Sequence, residues 1–198
     1  MKQFLSISLL LLLCSCASYP VKNKFRKTNN VEVLHNPYFS NLKKDYVYKA
    51  NIEVYGNTFG GLLIIKKTGA QKHRIAFTTE MGNKLFDFSF HKNNFKVNYI
   101  IEKLNKKMLI NILEKDFKIL ITESPKIIDT FNSNNLTIFE TSLYNTYYYK
   151  TNTLFKIVKT NGRKEKTKFL FRKISNNFAE DIQIIHSNIK LKINLKAI

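Results

Sequence analysis

Over most of this chain apolar residues recur at every second position, in short runs separated by turn residues. That period sets one face of an extended strand against a core and leaves the other in water. Residues 45–55 put Tyr46, Tyr48, Ala50, Ile52 and Val54 opposite Lys49, Asn51 and Glu53. Residues 58–67 follow a short turn, with Gly60-Gly61 predicting a bulge or bend. Residues 73–80 read as a third strand, and Phe86, Phe88 and Phe90 mark a fourth. After the loop His91-Lys92-Asn93-Asn94, Phe95, Val97, Tyr99 and Ile101 alternate again. The period then changes to 3.6 over 106–120, where Met108, Leu109, Ile112, Leu113, Phe117 and Leu120 form the stripe of an amphipathic helix that ends before Pro125. Strand patterns resume at 136–140, 144–150, 153–160, 166–173, 181–186 and 189–195, with Asn161-Gly162 as the strongest hairpin signal.

Short antiparallel strands in this number fold as a mainly β domain with minor α. The expectation is a strongly curved sheet or incomplete β-barrel of about eleven strands, with the helix covering the concave side or open mouth. A closed eight-stranded lipocalin-like barrel is the alternative. A transmembrane barrel is disfavoured, because Lys punctuates the strands and no lipid-facing apolar band with aromatic girdles stands out.

The chain opens with Met1-Lys2 followed by an apolar run, Phe4 to Leu13, of signal-peptide length and too short to span a bilayer. Leu13-Cys14-Ser15-Cys16 resembles the bacterial lipobox, which implies cleavage before Cys16 and attachment of diacylglycerol and a fatty acyl group to it. The competing reading is an ordinary signal cleaved after Ala17. Ala17 to Lys22 carry no acidic residue, which in lipoproteins of this kind points to the periplasmic face of the outer membrane. The domain reading is then 1–15 signal peptide, 16–44 lipidated N-terminus and basic tether, and 45–198 a single half-barrel domain.

The net charge is +19, yet only Arg26, Arg74, Arg163 and Arg172 supply guanidinium groups. An exported, Lys-dominated chain is not read as a nucleic-acid binder. Lys22, Lys24, Arg26 and Lys27 beside the anchor attract anionic lipid, or simply solvate the tether. Catalysis finds no constellation: His35, His73, His91 and His186 lack metal-ligand spacing, and there is no nucleophile elbow, phosphate loop or paired-carboxylate set. The chain reads as a non-enzyme and a monomer, with no cofactor beyond the acyl groups on Cys16 and no metal. Its sixteen Phe and ten Tyr offer another kind of site. Phe59, Phe77, Phe86, Phe88, Phe90, Phe95, Val97 and Tyr99, with Met108 and Ile112 from the helix, either line an acyl-sized cavity or form an ordinary core.

Residues 48–101 resemble the outer-membrane lipoprotein receptor LolB and its carrier relative LolA. The resemblance rests on a strand at Tyr48 to Val54, then Leu62-Leu63-Ile64-Ile65-Lys66-Lys67-Thr68-Gly69, then His73 to Gly82, with Met81-Gly82 where the family carries an apolar residue before Gly and Glu80 in place of Pro. It implies a curved sheet and helices around a hydrophobic cavity, receipt of acylated lipoproteins from a LolA-like periplasmic carrier, and insertion of Met81 and Gly82 into the membrane or a client's acyl chains. The chain departs from the family in having no Trp and a short helical insert. Two functions follow: an anchored receptor that binds acyl chains, or a scaffold or subunit of the envelope with a filled core.

Overall fold

The computed structural model describes residues 18–29 and 33–198; Cys16 lies outside them. The alternating segments form strands that pair with their neighbours in sequence. After a one-turn helix α1 (Tyr19–Lys22) and strand β1 (Arg26–Thr28) come β2 (Asp45–Val54), β3 (Asn57–Gly69), β4 (Lys72–Thr78), β5 (Lys84–His91) and β6 (Asn94–Ile100). A 3₁₀ turn, Glu102–Leu104, leads into helix α2 (Lys107–Ile121). Then follow β7 (Ile127–Ser133), β8 (Leu136–Thr141), β9 (Asn145–Lys150), β10 (Thr153–Asn161), β11 (Lys164–Ser175), β12 (Phe178–His186) and β13 (Leu191–Ala197).

All thirteen strands join one sheet in the order β1-β7-β8-β9-β10-β11-β12-β13-β2-β3-β4-β5-β6. Every pairing is antiparallel, and the sheet is strongly curved and unclosed, an incomplete barrel. The C-terminal strand joins the two halves of the sheet, β13 pairing with β2 from Leu191 opposite Val54 through Ala197 opposite Tyr48. One core row crosses the sheet through Tyr147, Ile157, Phe169, Ile184, Ile193, Ile52 and Phe59. The alternation read in β2 is met: Tyr46, Tyr48, Ala50, Ile52 and Val54 are all buried.

Two strands escape the sequence reading. β1 is Arg-Lys-Thr, with no apolar period, and exists by pairing with Phe131 and its neighbours. β7 mixes Asp129 and Asn132 with Phe131 because both of its faces are covered in part, so neither face shows a clean alternation. The hairpin at Asn161-Gly162 is shifted by one: Asn161 pairs with Lys164, leaving Gly162 and Arg163 as the turn. Glycine then takes the first turn position at φ +57, where a II′ hairpin places it.

Gly60-Gly61 makes no bulge, since the register of β2 with β3 runs through it unbroken. What Gly61 permits is a close approach: a Cβ there would lie 1.9 Å from the Thr78 carbonyl oxygen. The end of β4 turns over β3 at this point, and only a residue without a side chain leaves room.

The stretch read as a tether is largely packed. Leu34, Tyr38 and Phe39 enter the main core, and the Asn36 amide donates to the Leu120 and Thr122 carbonyls at 2.9 and 3.2 Å. The Tyr38 hydroxyl donates to the Leu154 carbonyl. On the opposite face of the sheet Tyr19 and Phe25 cover Phe131, Ile138, Tyr148 and Val158, a second small apolar cluster. The packed unit therefore includes residues 18–29 and 33–44 as well as 45–198. Aromatics at irregular spacing bury without a period, which is why composition read this stretch as free.

Candidate functional site

The concave face is lined where β4, β5 and β6 lie side by side. Ile75 pairs with Phe88, Phe77 with Phe86, and Phe90 with Phe95, so alternate side chains of three strands meet on one surface. Helix α2 lies on it through Leu109, Leu113, Phe117 and Leu120, all buried. Phe86 and Phe88 stack with ring centres 4.5 Å apart, and Phe117 reaches them at 5.9 and 6.4 Å. Phe95 closes against Phe88 at 5.2 Å and Phe90 at 5.1 Å.

These contacts correct the cavity expectation. Phe77, Phe86, Phe88 and Phe117 are each 0 % exposed. A void large enough for an acyl chain leaves its lining touchable by a water-sized sphere, and these rings offer no such surface. Phe90 is buried as well. Phe59, Phe95, Val97 and Ile112 are half-buried at the margin of the core. Tyr99 and Met108 face solvent, because Tyr99 pairs with Asp87 on the outer face and Met108 stands at the first turn of α2. The aromatic stripe fills its own sheet.

Met81 stands free at the tip of the β4–β5 turn, 91 % exposed. The turn is closed by Gly82 N–H donating to Thr79 O at 2.9 Å and Thr79 N–H to Asn83 O at 2.8 Å. Gly82 takes φ +86, which suits glycine. Glu80 beside it pairs with Lys49 at 2.8 Å. The turn is thus held in a fixed shape with its one large apolar side chain outward.

Sequence reading missed the buried polar and charged groups, because each is assembled across elements. Asp87 on the outer face of β5 accepts from Arg74 Nε at 2.9 Å and Nη2 at 2.6 Å, from Lys84 at 3.2 Å and from Asn98 at 3.1 Å. The Arg74 guanidinium holds its carboxyl well below the usual carboxylate range, against the opposing effect of burial. His73 is buried, with Nε2 3.0 Å from the Phe39 carbonyl to which it donates, and burial lowers its pKa from the ordinary value. Inside, His186 Nε2 comes within 2.9 Å of Asp116 Oδ2 on α2, side chains 4 % and 2 % exposed, without hydrogen-bond alignment. His186 Nδ1 donates to the Leu191 carbonyl at 3.1 Å. This pair ties the helix to β12. Among the described residues no group of three His, Cys, Asp or Glu could hold a metal ion.

A concave feature does exist on the other face of the sheet. Lys49, Asn51, Gly60, Arg172, Asp181, Gln183, Asn194 and Lys196 line a groove of about 460 Å³. These are the outward positions of β2, β3 and β11 to β13, alternating with core residues. Gln183 donates to Asn194 at 2.7 Å across its floor. The polar half of the alternation in β2 and β13 was the only signal for it in the sequence.

No family model matches the chain, and no curated protein matches it. Among solved structures it is similar to the crystal structure of a DUF1329 family protein from Desulfovibrio piger, at 7 % sequence identity and TM-score 0.38, over 78 % of this chain and 83 % of that one.

Proposed function

We propose that this protein is a lipid-anchored, non-enzymatic, monomeric component of the bacterial envelope, held by Cys16 at the periplasmic face of the outer membrane, and that it works through its outer surfaces as a scaffold or subunit. The observation that carries this reading is the absence of exposed surface on Phe77, Phe86, Phe88 and Phe117, which leaves no space for an acyl chain against these rings. Its anchor would be the acyl groups on Cys16, and a partner would meet the groove on the outer face and a rigid turn.

A second reading is the LolB-like one, in which the half-barrel receives acylated lipoproteins or lipids and passes them to the membrane. It is supported by the way one helix covers the aromatic face of β4 to β6. Acyl chains would enter only if α2 moved aside, exchanging the rings' contacts with Phe117 for contacts with methylenes, each contributing about 0.8 kcal/mol.

Uptake separates the two. The purified full chain is titrated with a fluorescent fatty acid and a triacylated lipopeptide, and bound lipids are identified by mass spectrometry after extraction. The scaffold reading expects no saturable uptake. Saturable uptake, lost when α2 is cross-linked to the β5–β6 turn between positions 118 and 93, whose side chains lie 3.2 Å apart, overturns it in favour of the carrier.

A further inference from the structure

An antiparallel meander sends its turns alternately to two ends, and in this protein the two ends differ. One end carries the turns after β3, β5, β7, β9 and β11, built from Ala70-Gln71, Lys92-Asn93, Asn134-Asn135, Thr151-Asn152 and Asn176-Asn177. None of these turns holds a large apolar residue, although Val33, Leu42 and Ile198 lie exposed in the coil beside them. The other end carries the turns after β2, β4 and β8, and here Tyr55, Met81, Leu143 and Tyr144 are all exposed. Met108, at the start of α2, joins them through the Tyr55 hydroxyl, 3.7 Å from its sulfur. Large exposed apolar side chains on rigid turns are unfavourable in water, and their gathering at one end marks a surface that is covered in use.

Two independent observations name the cover. Cations accompany these side chains: Lys103, Lys106 and Lys107 beside Met108, Lys164 at the start of β11 and Lys190 in the β12–β13 turn. Acidic residues also stand at this end, Glu53, Glu80, Glu102, Glu140 and Glu165, but Glu80 is already paired with Lys49 and Glu165 with Lys168. The first described residues also reach this same end. Ser18 hydrogen-bonds Glu140, one residue from the end of β8, and the Tyr19 hydroxyl donates to Glu165, the second residue of β11. An anchor on Cys16 would be two residues along the chain from Ser18.

We propose that the end bearing Tyr55, Met81, Met108, Leu143 and Tyr144 is a membrane-facing rim that rests on an anionic lipid surface. Tyr and Met would sit at headgroup depth, where an amphipathic ring keeps its hydroxyl wet and its body dry. Each lysine near the surface adds about 1 kcal/mol of attraction to anionic lipid, screened within a Debye length. The polar Asn-rich end then faces away from the membrane. This orientation shares with the proposed function the reading of a lipid anchor at Cys16, but it holds for the scaffold and the carrier alike.

The chain has no tryptophan, so a single one reports without background. Full-length Tyr144→Trp, Met81→Trp and Asn152→Trp variants are reconstituted in phosphatidylcholine–phosphatidylglycerol vesicles with plain or brominated chains. The rim reading expects loss of emission and a blue shift at positions 144 and 81 in brominated vesicles, and unchanged emission at 152. Vesicle-bound protein with unquenched emission at both 144 and 81 overturns it, as does stronger quenching at 152; a rim that docks a protein gives that unquenched result. Repeating the measurement on Cys16→Ala separates anchor from rim. Unchanged vesicle binding by that variant sinks the lipidation reading alone, while quenching at 144 that weakens with salt still supports the rim.

Discussion

Asp87 shows how much a single side chain on the polar side of a strand can contribute. It is buried and fully engaged by Arg74, Lys84 and Asn98. Replacement by Asn keeps the shape and removes the charge. Asp87→Asn is expected to cost about 1–3 kcal/mol at neutral pH, because charge-assisted bonds are lost and donors are left poorly matched. In the unfolded chain the carboxyl titrates near about 3.9, whereas in the fold it stays ionised to lower pH. Its contribution is therefore complete above roughly pH 5, begins to fall as pH drops through the ordinary carboxylate range, and is gone only below the lowered value of the folded state. Urea unfolding midpoints at pH 7 and pH 3 check this, with the gap between wild type and variant expected to narrow at the lower pH. The glycine pair gives a second contrast. Gly61→Ala sets a methyl against the Thr78 carbonyl and is expected to cost about 1–3 kcal/mol. Gly60→Ala meets nothing within 4 Å and is expected to be near neutral by thermal unfolding. From the sequence the pair announced that something happens at this bend, but not which glycine carries it, since that depends on where β4 ends.

At the level of elements, α2 is the piece whose removal is felt most widely. Phe117 touches Phe86 and Phe88 and is wholly buried, so Phe117→Ala is expected to cost about 3–5 kcal/mol. Met108→Ala, on the exposed first turn, should be close to neutral; denaturant midpoints of the two variants give the comparison. The helix was legible because its stripe is long and regular, and so were the strands with one clean apolar face, β2, β5, β6 and β13. β1 and β7 were not, because their pairing rests on each other and on β8 and their own side chains show no period. The aromatic face of β5 and β6 was also legible as a face. Whether it enclosed a space was not, since that depends on how closely one helix approaches it, and Phe117 closes the gap.

For the whole molecule, the boundary near residue 45 marks where periodicity starts rather than where packing starts. Asn36 anchors the N-terminal segment to the end of α2, and Tyr38 and Tyr19 anchor it to the sheet, by hydrogen bonds and rings, contacts no pattern announces. The rim was hidden for a similar reason: Tyr55, Met81 and Tyr144 lie far apart in sequence and share an end only through the strand order. Among the described residues, that order also gives the sheet two outer strands. One is β1, only three residues long, with Arg26 and Lys27 exposed on it; the other is β6, which pairs with β5 alone and presents Lys96. An unpaired margin is a template on which a second molecule can add a strand. Here two copies meeting margin to margin would bring lysine and arginine against their like, so the exposed basic residues of these strands act as a spacer between neighbouring copies.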